Sequence, residues 1–275
     1  MRCLNVLFAL SFFRWLNLLS LDVVLIALAW QELFARAAAV KLKWEERAFL
    51  AISIWIVYIM DHWFDSIVDV VSHSGLFSNK APRHHYVRSH RFVLGGLLIM
   101  ASIVNIWLLW YLGLRLLIAG MGLVMITLSY LVFNHFFLRR GLWLKGREII
   151  ISIIFSIGCA LVALVHSDQP WLLVPWIMAF AMVALINCTL IARMERATLL
   201  SQLAPQWIVS PRLVIWLLAW LVLFVFPFSS MIKALAWSLV GLALIPRIGG
   251  RWGYEVASLA ADQILFFGAL LALLI

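Results

Sequence analysis

The segment Tyr58-Ile-Met-Asp-His-Trp-Phe-Asp-Ser-Ile-Val-Asp69 carries three aspartates, Asp61, Asp65 and Asp69, at every fourth position behind an apolar run. On an α-helix this spacing places the three side chains within roughly an 80° arc of one face. Their carboxylates would repel one another in a poorly solvated place unless protons, arginines or metal ions neutralise them. The pattern therefore predicts either a metal-binding acidic ladder or a set of ion pairs at the edge of a bilayer.

The composition places this segment in a membrane protein. Of the 275 residues, 66% are hydrophobic and only 12% are charged, and the mean hydropathy is +1.07. A soluble domain has no means of covering that much apolar surface, so soluble globular classes are excluded. The net charge of +9 is explained by basic loops on one side of a membrane and gives no reason to expect nucleic acid as a partner.

Apolar runs of about 20 residues, the length that crosses a bilayer, occur at about nine places. We therefore predict an all-α integral membrane protein, residues 1–275, with about nine transmembrane helices in a single polytopic domain. The predicted spans are Leu16–Ala35, Phe49–Phe64, Phe92–Leu112, Leu116–Phe137, Ile149–Val165, Trp171–Ala192, Leu213–Phe228, Met231–Ile245 and Val256–Ile275.

The basic residues are distributed unequally between the two sides that these spans define. Fifteen of the 21 Lys and Arg residues fall on the side of the N-terminus. Cytoplasmic loops carry the excess of Lys and Arg, so the N-terminus is predicted in the cytoplasm and the C-terminus outside. The location that fits this arrangement is a bacterial inner membrane.

A basic segment follows the acidic ladder on the same side. The 13 residues from Asn79 to Arg91 contain one Lys, three Arg and three His. Guanidinium groups match phosphate oxygens in a planar fork, and lysine adds a point charge. We interpret the segment as the anion-binding partner of the ladder, although cytoplasmic loops are basic in any case. The candidate diphosphate-binding residues are Lys80, Arg83, His84, Arg88 and Arg91.

A second polar helix end occurs in Leu185–Arg196, at the end of the sixth predicted span. Asn187 and Glu195 are eight residues apart and so share a helix face. Glu195 would complete a set of hard oxygen ligands suited to Mg²⁺, which binds a few carboxylates and the phosphate oxygens of a substrate. The alternative is an ion pair between Glu195 and a neighbouring arginine. The candidate metal ligands are thus Asp61, Asp65, Asp69 and Glu195.

Several polar residues lie inside the predicted spans. Asp22 and Asp262 are expected to line the interior of the bundle or to pair with neighbours. Glu32 and Arg36 are four residues apart, which predicts a salt bridge near the outer end of the first span. Hydrogen bonds between helices are predicted for Asn105, Asn134 and His135.

The layout resembles the UbiA superfamily of membrane prenyltransferases. Members carry Asn-Asp-x-x-Asp-x-x-x-Asp on the second helix and a second aspartate-rich motif on the sixth. Asp65 and Asp69 match two aspartates of the first motif, Asp61 takes the asparagine position and His62 replaces the first aspartate. The resemblance implies a helical bundle that binds Mg²⁺ and an isoprenyl diphosphate, with Asn17, His62 and Asn187 beside the substrate.

The resemblance implies transfer of an isoprenyl group, with Asp61, Asp65, Asp69 and Glu195 as the catalytic residues that hold Mg²⁺ on the diphosphate. The enzyme would be a transferase of alkyl groups other than methyl, acting on a hydrophobic acceptor in the bilayer. One alternative, suggested by the altered motifs, is a non-catalytic relative that binds an isoprenoid lipid or a partner protein. The other is a cation-coupled transporter that uses Asp22, Asp61 and Asp262.

Overall fold

The computed structural model describes residues 15–71, 89–139, 146–199 and 229–274, and within these ranges the chain is helical with no β-strand. A short helical turn at residues 15–18 precedes the first long helix. Eight long helices follow: α1 (Leu21–Ala37), α2 (Trp44–Val71), α3 (Arg91–Leu108), α4 (Leu114–Arg139), α5 (Arg147–His166), α6 (Val174–Leu199), α7 (Ser229–Trp252) and α8 (Tyr254–Leu274). The prediction of an all-α protein is confirmed for the described ranges.

Five of the predicted spans coincide with helices that are long and apolar enough to cross a membrane. Their bounds are Arg91–Tyr111, Leu114–Asn134, Arg147–His166, Pro170–Met194 and Val256–Leu274. A shorter apolar helix occupies Ser230–Ile245, within α7. The chain is therefore an integral membrane protein by the length and composition of its helices. The seventh predicted span, Leu213–Phe228, lies outside the described residues, and the total of nine stays a prediction.

The helix ends follow from local chemistry. The backbone N–H of Lys43 donates to Glu46 Oε2 at 2.9 Å, which is half of a capping box at the start of α2. Gly146 has a φ of 96° immediately before α5, and Gly253 has a φ of 91° between α7 and α8. Only glycine adopts that backbone region without steric cost, so these two residues set where the helices stop and restart.

Helix α1 lies at the centre of the bundle and packs against α2, α5 and α8. Its Trp30 is fully buried and stacks on Phe180 of α6 with ring centroids 3.9 Å apart. The indole Nε1 of Trp30 also donates to the Leu265 carbonyl of α8 at 3.3 Å. Because neighbouring helices cover α1, it tolerates Asp22 and Gln31 inside the bundle.

Helices α3 and α4 form the most exposed apolar side of the described bundle. Phe92, Ile103 and Trp110 of the α3 region are 81%, 62% and 85% exposed, and Ile118 and Ile126 of α4 are similarly open. Water would make such a continuous surface costly, whereas lipid tails solvate it. We therefore identify this side as a lipid-facing surface.

Helices α7 and α8 approach each other closely. A Cβ atom added at Gly268 would lie 2.6 Å from Ser238 Oγ and 3.2 Å from the Ala234 carbonyl oxygen. One added at Gly241 would lie 2.5 Å from Ile264 Cγ2. Glycine on each helix thus permits a contact that larger side chains would prevent, as is common between membrane helices.

Candidate functional site

The candidate site lies at the end of the bundle where α2 and α6 finish and where α1, α5 and α8 begin. The links between α1 and α2, α3 and α4, and α5 and α6 are short and lie at the opposite end. The described helix α2 includes Asp61, Asp65 and Asp69 without a break, so the predicted helical spacing of the ladder is confirmed. We call this end the ladder end.

Three acids from three helices lie toward the ladder end: Asp22 of α1, Asp61 of α2 and Asp262 of α8. Tyr58 precedes Asp61 by three residues, about one turn, on α2. Asp22 and Asp262 are buried, with 2% and 7% of their surface exposed. Buried acids inside a membrane bundle are typical of functional sites.

Two asparagines donate to the two buried carboxylates. Asn17 Nδ2 donates to Asp22 Oδ2 at 2.8 Å, and Asn187 Nδ2 donates to Asp262 Oδ1 at 2.8 Å. Asp22 also accepts the backbone N–H of Val23 at 2.9 Å, at the positive end of α1. Each carboxylate is thus oriented by an amide. The prediction that Asp22 and Asp262 pair with neighbours is confirmed.

Asp61 forms an ion pair with the first residue of α5. Arg147 Nη2 lies 3.7 Å from Asp61 Oδ2, and both side chains are mostly buried. The sequence leaves two possibilities open for the ladder aspartates, metal binding and ion pairs, and this contact is an ion pair. Arg147 itself was not among the predicted site residues, because it begins a different span and only the fold brings it to Asp61.

Helices α5 and α6 add further polar residues. Ser152 of α5 is buried, and Cys188 of α6 directly follows Asn187. The Ser152 hydroxyl donates to the Glu148 carbonyl at 2.6 Å. Sequence reasoning missed Tyr58, Ser152 and Cys188 because each residue type is common in helix cores.

His62 is buried, with 6% of its surface exposed, and its ring lies edge-on to that of Tyr58 at 6.4 Å between centroids. The structure thus brings three predicted substrate-side residues, Asn17, His62 and Asn187, to the ladder end. They reach it from the turn before α1, from α2 and from α6.

The predicted metal ligands are only partly described. Among the side chains that the structure describes, no group of three or more His, Cys, Asp or Glu lies close enough together to hold a metal ion. Asp65 and Asp69 belong to α2 and Glu195 to α6, but their side chains lie outside the described part. As oxygen donors these carboxylates have the chemistry that Mg²⁺ requires.

Most of the predicted diphosphate-binding residues also fall outside the described ranges. These are Lys80, Arg83, His84 and Arg88. Arg91 is described: it begins α3, is exposed, and places its guanidinium 4.8 Å from the ring centroid of Phe92. Its position next to an exposed aromatic ring fits the interface between lipid and water.

Comparison with known proteins gives no relative: no family model, no curated protein and no solved structure matches the chain. The UbiA resemblance therefore rests on the residues of the ladder and on the order of the helices.

Proposed function

We propose that the chain is a UbiA-like intramembrane prenyltransferase that moves an isoprenyl group from an isoprenyl diphosphate to a hydrophobic acceptor. The observation that carries this proposal is a set of polar pairs inside the bundle: Asn17 with Asp22, Asn187 with Asp262, and Arg147 with Asp61. It occurs at the end of the bundle where α2, with its three aspartates, terminates. The proposed setting is a bacterial inner membrane with the ladder end on the cytoplasmic side.

In this proposal Asp65, Asp69 and Glu195, assisted by Asp61, hold Mg²⁺, which when bound neutralises the charge of the diphosphate. Arg91 and the basic residues before it would stabilise the diphosphate as it departs with the electron pair of the broken C–O bond. The basic residues in question are Lys80, Arg83, His84 and Arg88. The apolar interior would hold the isoprenyl chain and keep water from the allylic cation.

Arg147 has a defined part in this arrangement. It pairs with Asp61 at 3.7 Å. A positive charge in contact with the first ladder carboxylate lowers the mutual repulsion of the three aspartates. Arg147 is therefore proposed as a positioning residue that holds Asp61 in place at the ladder end.

The test is release of diphosphate from geranyl, farnesyl and longer isoprenyl diphosphates by the purified full chain, with and without Mg²⁺. Asp65→Ala and Asp69→Ala should each abolish Mg²⁺-dependent release. Asp168→Ala is the matched control, since it makes the same chemical change at an exposed position at the opposite end. Release that survives either ladder substitution would overturn the proposal.

The release assay and a transport assay together separate the alternatives. A non-catalytic relative would bind isoprenoid lipid without any Mg²⁺-dependent release. A transporter would instead move a cation across proteoliposomes. The three acids that it would use, Asp22, Asp61 and Asp262, all lie in the half of their helix that is nearer the ladder end.

A further inference from the structure

The basic side chains at the end of the bundle opposite the ladder end differ in how their charge is neutralised. Arg36 and Arg47 both pair with Glu32, at 3.4 Å and 2.8 Å. Three other basic side chains at this end are exposed and form no salt bridge within the part of the chain that the structure describes: Lys41, Lys43 and Arg115. These three charges are available to a partner outside the protein.

One buried side chain in the link between α1 and α2 brings the three charges together. Leu42 is 7% exposed and belongs to the same buried cluster as Leu116, near the start of α4. Lys41 and Lys43 flank Leu42 in the sequence, and Arg115 directly precedes Leu116. We call Lys41, Lys43 and Arg115 the basic patch.

The acids at this end leave the basic patch positive. The carboxylate of Glu46 is used inside the protein: Oε1 lies 3.2 Å from His166 Nε2, and Oε2 accepts the backbone N–H of Lys43. Glu45 is the acid beside the patch, and Asp168 lies in the link between α5 and α6. Three cations beside one carboxylate form a positive surface, which attracts anions.

Exposed tryptophans indicate the depth of the basic patch in the membrane. Trp44, at the start of α2, is 58% exposed and directly follows Lys43. Trp110, in the turn after α3, is 85% exposed and precedes Arg115 by five residues. Tryptophan is enriched at the headgroup level of a bilayer. The patch therefore lies at headgroup depth, at the end of the lipid-facing surface of α3 and α4.

We infer that the basic patch binds the headgroup of an anionic phospholipid whose acyl chains lie on the lipid-facing surface of α3 and α4. The lipid phosphate would accept hydrogen bonds from the Arg115 guanidinium and from the ammonium groups of Lys41 and Lys43. A phosphocholine headgroup carries a cation of its own, so the patch would hold it less tightly. The ladder end takes no part in this site, and the inference does not depend on prenyl transfer.

Photo-crosslinking from Trp110→p-benzoylphenylalanine tests the inference at the patch itself. The full chain is placed in nanodiscs with equal amounts of two lipids that have the same acyl chains, anionic dioleoylphosphatidylglycerol and zwitterionic dioleoylphosphatidylcholine. Mass spectrometry then compares the two cross-linked products. The anionic lipid should exceed the other about five-fold or more, the factor that corresponds to about 1 kcal/mol from one basic residue at a charged membrane surface.

Trp171→p-benzoylphenylalanine is the matched control. Trp171 is 64% exposed and lies at the same end of the bundle, three residues after Asp168. Its cross-links should show no enrichment of the anionic lipid. Both tryptophans are exposed, so neither substitution removes a packed core side chain. Equal enrichment at the two positions would overturn the inference.

Removal of one charge tests the role of the patch. With the cross-linker at position 110, Arg115→Gln should lower the enrichment about five-fold. Lys233→Gln should leave it unchanged, because Lys233 belongs to α7, which packs against α1, α6 and α8. An equal effect of the two substitutions would overturn the inference.

A soluble anion is distinguished from a lipid by competition. Excess inorganic phosphate at constant ionic strength should not change the enrichment, because the acyl chains hold the lipid at the surface. Loss of the enrichment would assign the basic patch to a soluble anion and overturn the lipid site. Cross-linking decides lipid binding and diphosphate release decides prenyl transfer, so each can fail without the other.

Discussion

Arg147 Nη2 lies 3.7 Å from Asp61 Oδ2, so the start of α5 is held against the part of α2 that carries the acidic ladder. The two side chains are 24% and 17% exposed, which screens their attraction only in part. The contact fixes one end of the candidate site through two helices that are distant in the sequence. It also gives the first carboxylate of the ladder a defined position.

The Asp61–Arg147 pair is expected to contribute a measurable coupling energy. Asp61→Asn and Arg147→Gln should each lower the free energy of unfolding, since each leaves a charge with reduced compensation. The double substitution should cost less than the sum of the single ones, by on the order of 1 kcal/mol. Chemical unfolding of the four proteins in detergent measures this difference. Strictly additive effects would show that the two side chains do not interact.

Substitution of Gly253 is expected to destabilise the protein because of its backbone conformation alone. Its φ is 91°, and an added Cβ would meet nothing within 4 Å. Gly253→Ala should therefore lower the unfolding free energy by about 1–2 kcal/mol through strain. Gly113→Ala is the control, since Gly113 has equal space and lacks a positive φ. It should be neutral or slightly stabilising. Equal midpoints of thermal unfolding for the two variants would contradict the role of φ.

Substitution of Gly268 is expected to destabilise the protein for a different reason, the close contact between α7 and α8. Gly268→Ala would place Cβ 2.6 Å from Ser238 Oγ and 3.2 Å from a backbone oxygen. We expect destabilisation of about 1–3 kcal/mol, the usual range for overpacking. Adding Ser238→Ala should recover part of the loss, because it removes the nearest atom but leaves the backbone.

Gly122→Ala is the control for Gly268→Ala. Gly122 is also in a helix, α4, but an added Cβ there meets nothing within 4 Å. Alanine has the higher helix propensity, so this variant should be stabilised by up to about 1 kcal/mol. Thermal unfolding in one detergent compares the variants. Failure of Ser238→Ala to improve Gly268→Ala would locate the obstruction in the backbone alone.

Much of the fold could be predicted because lipid exposure demands long apolar runs. The third predicted span, Phe92–Leu112, differs from the observed Arg91–Tyr111 by one residue at each end. The central position of α1 could not be predicted in the same way. It depends on which helices surround it, and periodicity within one helix does not report its neighbours.

Some polar contacts could likewise be predicted from spacing within one helix, whereas others depend on how the helices pack. The Glu32–Arg36 salt bridge, 3.4 Å long, was predictable because residues four apart on a helix are neighbours. The bond between Asn187 and Asp262 joins residues 75 apart in the sequence. Each could be recognised as an intramembrane polar residue, but their pairing required the packing of α6 against α8.

The exposed face of α3 is expected to contact lipid tails along its middle. A nitroxide label at Ile103→Cys, where the native side chain is 62% exposed, should collide readily with oxygen and poorly with a water-soluble nickel complex. A label at Trp44→Cys, at the first residue of α2, should show the opposite preference because helix ends lie near water. Both labels require a chain whose three natural cysteines are replaced by alanine. Preferential collision of the Ile103 label with the nickel complex would mean that protein or water, and not lipid, covers this face.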